Sequence, residues 1–279
     1  MTSGLSGPKI AQARDGMEDE GFQKVAVRLR RAQIGKRMIF LRSVSSTNDV
    51  SWAEAEKGAP EGTVVVAEEQ TAGRGRLSRR WHSPPGLGIW ASVVLRPEVR
   101  PETAPGLTLC VSVAIAKAVR SLYPVDVSLK WPNDVIVKGK KLCGILTEMR
   151  ASRSNVDFVV CGIGMNVNQT PEDFPVELRE GAISVMMATG KRADRGELLA
   201  AMLEHLEKQY RKFCREGVAS SLDEWRSMCP LFGKRVRIKG RRAAVEGIFF
   251  NIDDNGALVL RLDSGIHRSF LVGDMELVS

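Results

Sequence analysis

The chain has 279 residues, 43% hydrophobic and 27% charged, with a formal net charge of +8. That length holds one large domain and a small one, and the basic balance favours nucleotides, nucleic acid or an acidic protein without choosing among them. Five scattered cysteines and three histidines show no C-x-x-C pair or metal-ligand spacing, no apolar run reaches bilayer length and no signal-peptide core opens the chain, so a cytoplasmic protein with no membrane partner is expected.

Residues 1–20 are rich in Gly, Ser, Asp and Glu without periodicity and read as disordered. Phe22 to Gln33 reads as a short helix, with Val25, Leu29 and Ala32 on one face and Arg28, Arg30 and Arg31 elsewhere. From Arg37 the pattern is mixed α/β. Met38–Leu41 reads as a strand, and Ser45-Ser46-Thr47-Asn48 suits the cap of a helix running to about Lys57. Strand signals follow at Thr63–Glu68 and Ile89–Leu95, then a helix from Thr103 to Leu122. Four short strands come next, at Val127–Trp131, Val135–Val137, Leu142–Glu148 and Val156–Gly162, with Lys138-Gly139-Lys140 as a tight turn. Asp194 caps a long helix whose stripe includes Leu198, Met202, Leu206, Tyr210 and Phe213, a pattern that belongs to a core. After Pro230 the texture changes. Arg235–Ile238, Ala244–Phe250, Ala257–Leu262 and His267–Leu271 are short alternating strands, with Asn255-Gly256 as a hairpin turn, and suggest a small all-β barrel.

The strand at Thr63 runs straight into Glu68-Glu69-Gln70-Thr71-Ala72-Gly73-Arg74-Gly75-Arg76, followed by Arg79, Arg80 and Trp81. Glycines let backbone N–H groups approach phosphate oxygens, and guanidinium forks grip them in pairs. A solvated basic loop is the competing account. Two familiar nucleotide motifs fail here. Gly73-Arg-Gly75-Arg-Leu-Ser78 has serine at the third glycine and Pro84-Pro85 behind it, and Gly162-Ile-Gly164-Met-Asn-Val167 fails at its last position. No G-x-x-x-x-G-K-[ST] loop exists in the chain. A second notable segment is Lys130-Trp131-Pro132-Asn133-Asp134, followed by Lys141-Leu142-Cys143-Gly144-Ile145-Leu146. Taken separately, Asn-Asp before a strand is turn chemistry and Lys141 a solvated hairpin lysine.

Together with Ser46-Thr47-Asn48, Gln70 and Gly162-Ile163-Gly164-Met165-Asn166-Val167, these segments resemble the biotin–protein ligases, also called biotin–[acetyl-CoA-carboxylase] ligases. The resemblance covers nearly all of residues 34–279, in a form without an N-terminal DNA-binding domain. It implies an α/β (α+β) fold: a mixed central sheet flanked by helices, then a small SH3-like β-barrel. The expected organisation is a partly disordered extension over residues 1–33, a catalytic domain over 34–229 and the SH3-like domain over 230–279.

The implied activity joins biotin and ATP to biotinyl-5′-AMP, then passes biotin to one lysine of a biotin carboxyl carrier domain in a biotin-dependent carboxylase. The resemblance assigns Ser46, Thr47, Asn48 and Gln70 to the ureido ring of biotin. Arg74, Gly75, Arg76, Lys141, Gly144, Leu146, Gly162 and Gly164 complete the biotin site. Burial of the biotin tail contributes about 0.8 kcal/mol per methylene. Arg74, Arg76, Trp81, Lys130, Asn133 and Asn166 are the nucleotide set, with Trp81 as a platform for adenine. Lys141, Arg76 and Asp134 are the catalytic set, and Asp134 either assists Mg²⁺ or receives a proton. Bringing two anions together needs such charge, since one opposite charge at 4 Å gives on the order of 4 kcal/mol at an effective dielectric of 20.

The chain departs from the family at Ser78, where a glycine is usual. Two other readings compete. A lipoate–protein ligase has a related fold, but the Arg74/Arg76 loop and the Lys130–Asp134 segment favour biotin. A DNA-binding, biotin-responsive repressor needs three helices and a wing before the first strand, which residues 1–33 do not accommodate, so no sequence-specific nucleic-acid partner is expected. A homodimer is left open.

Overall fold

Alternating runs of Val, Ile and Ala build two sheets in the computed structural model of this chain, which describes residues 22, 25, 27–29, 32–239 and 244–278. The expectations for residues 1–20, Arg30 and Arg31 lie outside the described residues. Phe22, Val25, Val27 and Arg28 are helical, and Phe22, Val25 and Leu29 are buried, so the expected apolar face is present.

The elements of the larger unit are β1 (Met38–Val44), α1 (Thr47–Glu56), β2 (Val64–Gln70), β3 (Gly88–Leu95), α2 (Leu107–Leu122), β4 (Val127–Lys130) and β5 (Asp134–Val137). They continue with β6 (Lys140–Ala151), β7 (Val156–Asn166), α3 (Val185–Thr189), α4 (Arg195–Glu216) and α5 (Ala219–Ser227). The seven strands lie in the order β1-β2-β3-β7-β6-β5-β4. β1 and β2 are parallel, joined by α1 as a crossover, and all other neighbours are antiparallel, which makes the sheet mixed. Side chains alternate across it. Val94, Phe158 and Val160 pack with Ala55 and Trp52 of α1 on one face. Val93, Cys161, Ile163 and Met165 belong to the large core with α2 and α4 on the other. Every residue of β3 is buried, as a strand covered on both faces requires.

Local chemistry fixes the punctuation. Lys138 and Gly139 both have positive φ, 51° and 75°, the geometry of a two-residue hairpin turn between β5 and β6. The Asp194 carboxylate accepts the Glu197 N–H at 2.9 Å to cap α4, and Gly217 ends that helix at φ 68°. α2 begins later than Thr103, because Ala104-Pro105-Gly106 forms a separate 3-10 turn ahead of it. One correction concerns this stretch. Ala104–Leu122 is long and apolar enough to cross a membrane by length and composition, but most of it is buried inside the protein. Its apolarity serves packing between α4 and the sheet.

The second sheet holds β8 (Arg235–Lys239), β9 (Ala244–Ile252), β10 (Leu258–Arg261), β11 (His267–Phe270) and β12 (Asp274–Leu277), in the order β11-β10-β9-β8-β12. All its pairs are antiparallel, and among the described residues no pairing joins the edges β11 and β12 into a closed barrel. Val236, Ile238, Phe249, Leu258, Leu260 and Met275 belong to the same apolar core as the larger unit. The Trp131 indole N–H donates to the Gly256 carbonyl at 3.3 Å, tying the hairpin turn of the second sheet to the end of β4.

Candidate active site

The N-terminus of α1 departs from ordinary capping. Ser46 occupies the N-cap in extended conformation, yet its side chain makes no cap bond. Thr47 and Asn48 are buried in the first turn, and both side chains turn toward a cavity of about 290 Å³ on the α1 face of the sheet. Polar groups that sequence suggests as caps are instead held for that cavity.

At this closed end the polar groups are linked. Gln70 Oε1 accepts the Thr47 N–H at 2.8 Å and lies 3.1 Å from the Thr47 hydroxyl oxygen, while Gln70 Nε2 donates to Ser83 at 2.9 Å. Thr47 Oγ1 is also 2.7 Å from Ser92 Oγ, which donates to Asn48 Oδ1 at 2.6 Å. Asn48 Nδ2 donates to Glu148 at 2.7 Å and to the Leu146 carbonyl at 3.4 Å. None of these groups except Glu148 carries charge, so this end suits a neutral ligand with both donors and acceptors.

The floor is made of glycines on adjacent strands, Gly144 of β6 paired with Gly164 of β7. A Cβ on Gly162 would sit 2.1 Å from Asn48 Oδ1, and one on Gly164 would sit 2.4 Å from Trp81 Nε1. Only hydrogen in those positions lets Asn48 and the Trp81 indole lie against the sheet. The Lys141 ammonium lies 5.2 Å from the Trp81 ring centroid, and the Trp81 indole N–H is buried without a partner.

The arginine loop folds back on itself. Gly75 N–H donates to the Arg79 carbonyl at 2.7 Å, and Trp81 N–H to the Gly73 carbonyl at 2.8 Å. Between them Leu77 and Ser78 take positive φ, 54° and 59°. Ser78 thus stands in a left-handed conformation that glycine adopts freely, which explains why a glycine is usual there. The two central arginines part company. Arg74 pairs with Asp49 at 2.6 Å and Glu148 at 3.2 Å, beside the neutral end. Burial pulls its pKa down, but those two carboxylates outweigh burial and raise it. Arg76 instead donates to Asn133 Oδ1 at 3.3 Å and to the Gly273 carbonyl at 3.3 Å. Burial lowers its pKa, with the charges of Asp274 and Asp134 opposing. The expectation that Arg74 and Arg76 both serve the anionic groups of biotin and nucleotide therefore meets a geometry in which Arg74 already carries two carboxylates.

At the opposite end Lys141 Nζ lies 2.6 Å from Asp134. Asn133 donates to the Ile145 carbonyl at 2.8 Å, and Asn166 to the carbonyls of Lys141 at 3.3 Å and Ile183 at 3.2 Å. Among the described residues no three or more His, Cys, Asp or Glu groups gather as a metal site. Asp134 is paired with Lys141, and the described side chains do not by themselves build a Mg²⁺ site.

All of the sequence-predicted residues except Lys130 line this one cavity. Lys130 sits at the end of β4 opposite Asp134, outside the lining. Sequence reasoning missed Ser92, Glu148 and Asp49, and also the segment carrying Phe174, Leu178 and Ala182 that covers the Lys141 end. Ser92 had a signal, being the one hydroxyl within the apolar run Ile89–Leu95.

Residues 40–166 match the Biotin/lipoate A/B protein ligase family, and residues 231–278 the Biotin protein ligase C terminal domain. The chain is 40% identical over 244 residues to the bifunctional ligase/repressor BirA of Bacillus subtilis, covering 88% of this chain and 75% of that protein. It is 34% identical over 233 residues to the biotin–[acetyl-CoA-carboxylase] ligase of Paracoccus denitrificans, covering 81% of this chain and 94% of that one. Among solved structures it is similar to the biotin protein ligase of Aquifex aeolicus in complex with biotin and ATP, with a TM-score of 0.74 and 30% identity. That match covers 87% of this chain and 99% of the other.

Proposed function

The chain belongs to the biotin/lipoate A/B protein ligase family, and from that premise we propose how its own residues divide the work of a biotin–[acetyl-CoA-carboxylase] ligase. The protein is a biotin protein ligase, with biotin and ATP as substrates. A biotin carboxylate oxygen attacks the α-phosphorus of ATP, and pyrophosphate leaves. The amine of a carrier-domain lysine then attacks the acyl carbon, and AMP leaves.

The observation that carries the assignment is the polarity of the cavity: a neutral, hydrogen-bonding end at Thr47, Asn48 and Gln70, and a cationic end at Lys141 and Arg76. The neutral end fits a ureido ring. The cationic end fits the carboxylate and α-phosphate, whose mutual repulsion two positive groups offset in the transition state. Arg76 and Lys141 take that role, and Arg74 anchors the loop to α1 and β6 through Asp49 and Glu148. Trp81, Asn133 and Asn166 serve the nucleotide. Asp134 receives the proton of the incoming lysine, an amine of pKa about 10.4 that is mostly protonated at neutral pH.

A lipoate ligase would place an apolar dithiolane against the buried hydroxyls and amides of the closed end, leaving them unpaired, which is costly. Incubating the protein with ATP and either biotin or lipoate, and identifying the adenylate by mass, tests the choice. Biotinyl-adenylate is expected, and lipoyl-adenylate alone overturns the reading. A cytoplasmic setting is proposed with it, supported by five free cysteines, four of them buried. Sequence-specific DNA binding is not proposed, because the net charge alone gives only salt-sensitive affinity for any polyanion.

A further inference from the structure

Two polar residues behind the cavity wall, Glu148 and Ser92, stand outside the lining, and Glu148 meets Arg74 at 3.2 Å as well as the Asn48 amide. They nevertheless determine which way the protons point at the neutral end. The Asn48 amide could face either direction, since its two ends have the same shape. The short contact of Asn48 Nδ2 to the Glu148 carboxylate, 2.7 Å, decides the matter, because the second contact to the Leu146 carbonyl is long at 3.4 Å. A carboxylate only accepts, so Asn48 Oδ1 must face Ser92 and take its proton at 2.6 Å. Ser92 then has no proton left for Thr47, and the 2.7 Å contact between them is made by the Thr47 proton. Gln70 Oε1 keeps the Thr47 backbone N–H at 2.8 Å, which leaves it one lone pair, and both Gln70 and Thr47 line the cavity.

We infer that Glu148 is a positioning residue for ligand recognition: acting through Asn48, Ser92 and Thr47, it makes the closed end present acceptors to the N–H groups of a ureido ring. The inference rests on the biotin reading and deepens it. With Glu148 replaced by an apolar group, the Asn48 amide is free to turn over. Its N–H₂ would then meet Ser92, the Ser92 proton would go to Thr47, and the Thr47 proton would go to Gln70 at 3.1 Å. That last step uses the lone pair the ligand needs. Gly162 supports the same arrangement, because a Cβ there would lie 2.1 Å from Asn48 Oδ1 and drive the amide out of the chain.

The test is steady-state adenylate formation by the full chain, with biotin and ATP varied separately, for Glu148→Leu, Glu148→Gln and Ser92→Ala. Glu148→Leu is expected to raise KM for biotin by about tenfold or more; because Glu148 also receives Arg74 at 3.2 Å, the constancy of kcat and of KM for ATP, within about twofold, is expected of Ser92→Ala, which leaves that ion pair in place. Glu148→Gln is expected to recover most of that loss, because its amide oxygen accepts the same Asn48 proton. Ser92→Ala cuts the chain in its middle and is expected to raise KM for biotin alone. A wild-type biotin KM in Glu148→Leu overturns the inference, and so does a joint rise in both substrate constants in Ser92→Ala. If Glu148→Leu does not fold, Ser92→Ala decides, and an unchanged biotin KM there overturns it. Absence of biotinyl-adenylate from the unsubstituted protein would instead sink the biotin reading itself.

Discussion

The ammonium of Lys141 is held 2.6 Å from the carboxylate of Asp134 and 5.2 Å from the centre of the Trp81 ring. A long flexible side chain is thereby fixed by one charge and one aromatic face before any anion arrives. Such preorganisation is what makes a cation effective when negative charge develops, since little reorganisation remains to be done. Replacing Lys141 by Met, which keeps the length and removes the charge, is expected to slow pyrophosphate release by about two to three orders of magnitude. Melting is expected to change little, because the group is part exposed.

Asp134 can be examined separately from the first half-reaction. With biotinyl-adenylate supplied preformed, Asp134→Asn is expected to slow transfer to the carrier lysine by about 10²-fold at neutral pH. The deficit should shrink as pH rises and the amine loses its proton unaided. A transfer rate equal to wild type across that range would remove Asp134 from the proton's path.

Gly164 allows the Trp81 indole to lie on the sheet, and an added methyl would come within 2.4 Å of Nε1. The rigid ring cannot yield without leaving its place. Gly164→Ala is expected to cost about 1–3 kcal/mol of stability as an overpacked site, read by denaturant unfolding. If Trp81 is the adenine platform, ATP is expected to quench tryptophan fluorescence in the wild type, and Gly164→Ala is expected to abolish that quenching.

Away from the cavity, Glu224 joins α5 to α2 through Lys117 at 2.7 Å. Burial tends to raise its pKa, but the hydrogen bond and charge of Lys117, with help from Lys212 and Gln209, lower it below the usual 4.5. A depressed carboxylate pKa contributes stability that is fully present above the unfolded value and lost as pH falls through the folded one. The wild type should therefore lose stability on acidification below about pH 4.5, and Glu224→Gln should lose less over that interval. Chemical unfolding at pH 7 and at pH 3.5 gives the comparison; identical losses would show that this pair is not part of the acid response.

Much of the scaffold was legible from local pattern. The strands from Val64 to Asn166 read correctly because Val, Ile and Leu crowd them and turn residues separate them. α5 and β12 escaped for the opposite reason. α5 shows only Leu222 and Trp225 as large apolar groups, and β12 is an edge strand whose single buried apolar side chain is Met275. The site residues were legible as a set but not as a geometry. Arg74 and Arg76 stand two positions apart in one motif, and nothing local says that one turns to Asp49 and Glu148 while the other turns to Asn133 and Gly273. That separation depends on a loop whose Leu77 and Ser78 both take positive φ, conformations their side chains do not advertise. Ser92 showed only as a lone hydroxyl in an apolar run, and its role and that of Glu148 were hidden because their partner comes from α1, 44 and 100 positions away.

The peptide group of Lys141 has an engagement of its own. Its N–H donates to the Gly181 carbonyl at 2.7 Å and its carbonyl accepts the Ile183 N–H at 3.0 Å. The segment that carries Phe174, Leu178 and Ala182 is thus stitched, through both halves of one peptide group, to the residue whose ammonium meets Asp134. Lys141 therefore joins three parts of the fold at a single position: its own strand, β5 through Asp134, and the loop beyond β7 through Gly181 and Ile183. A change that displaces that loop is expected to shift the ammonium with it.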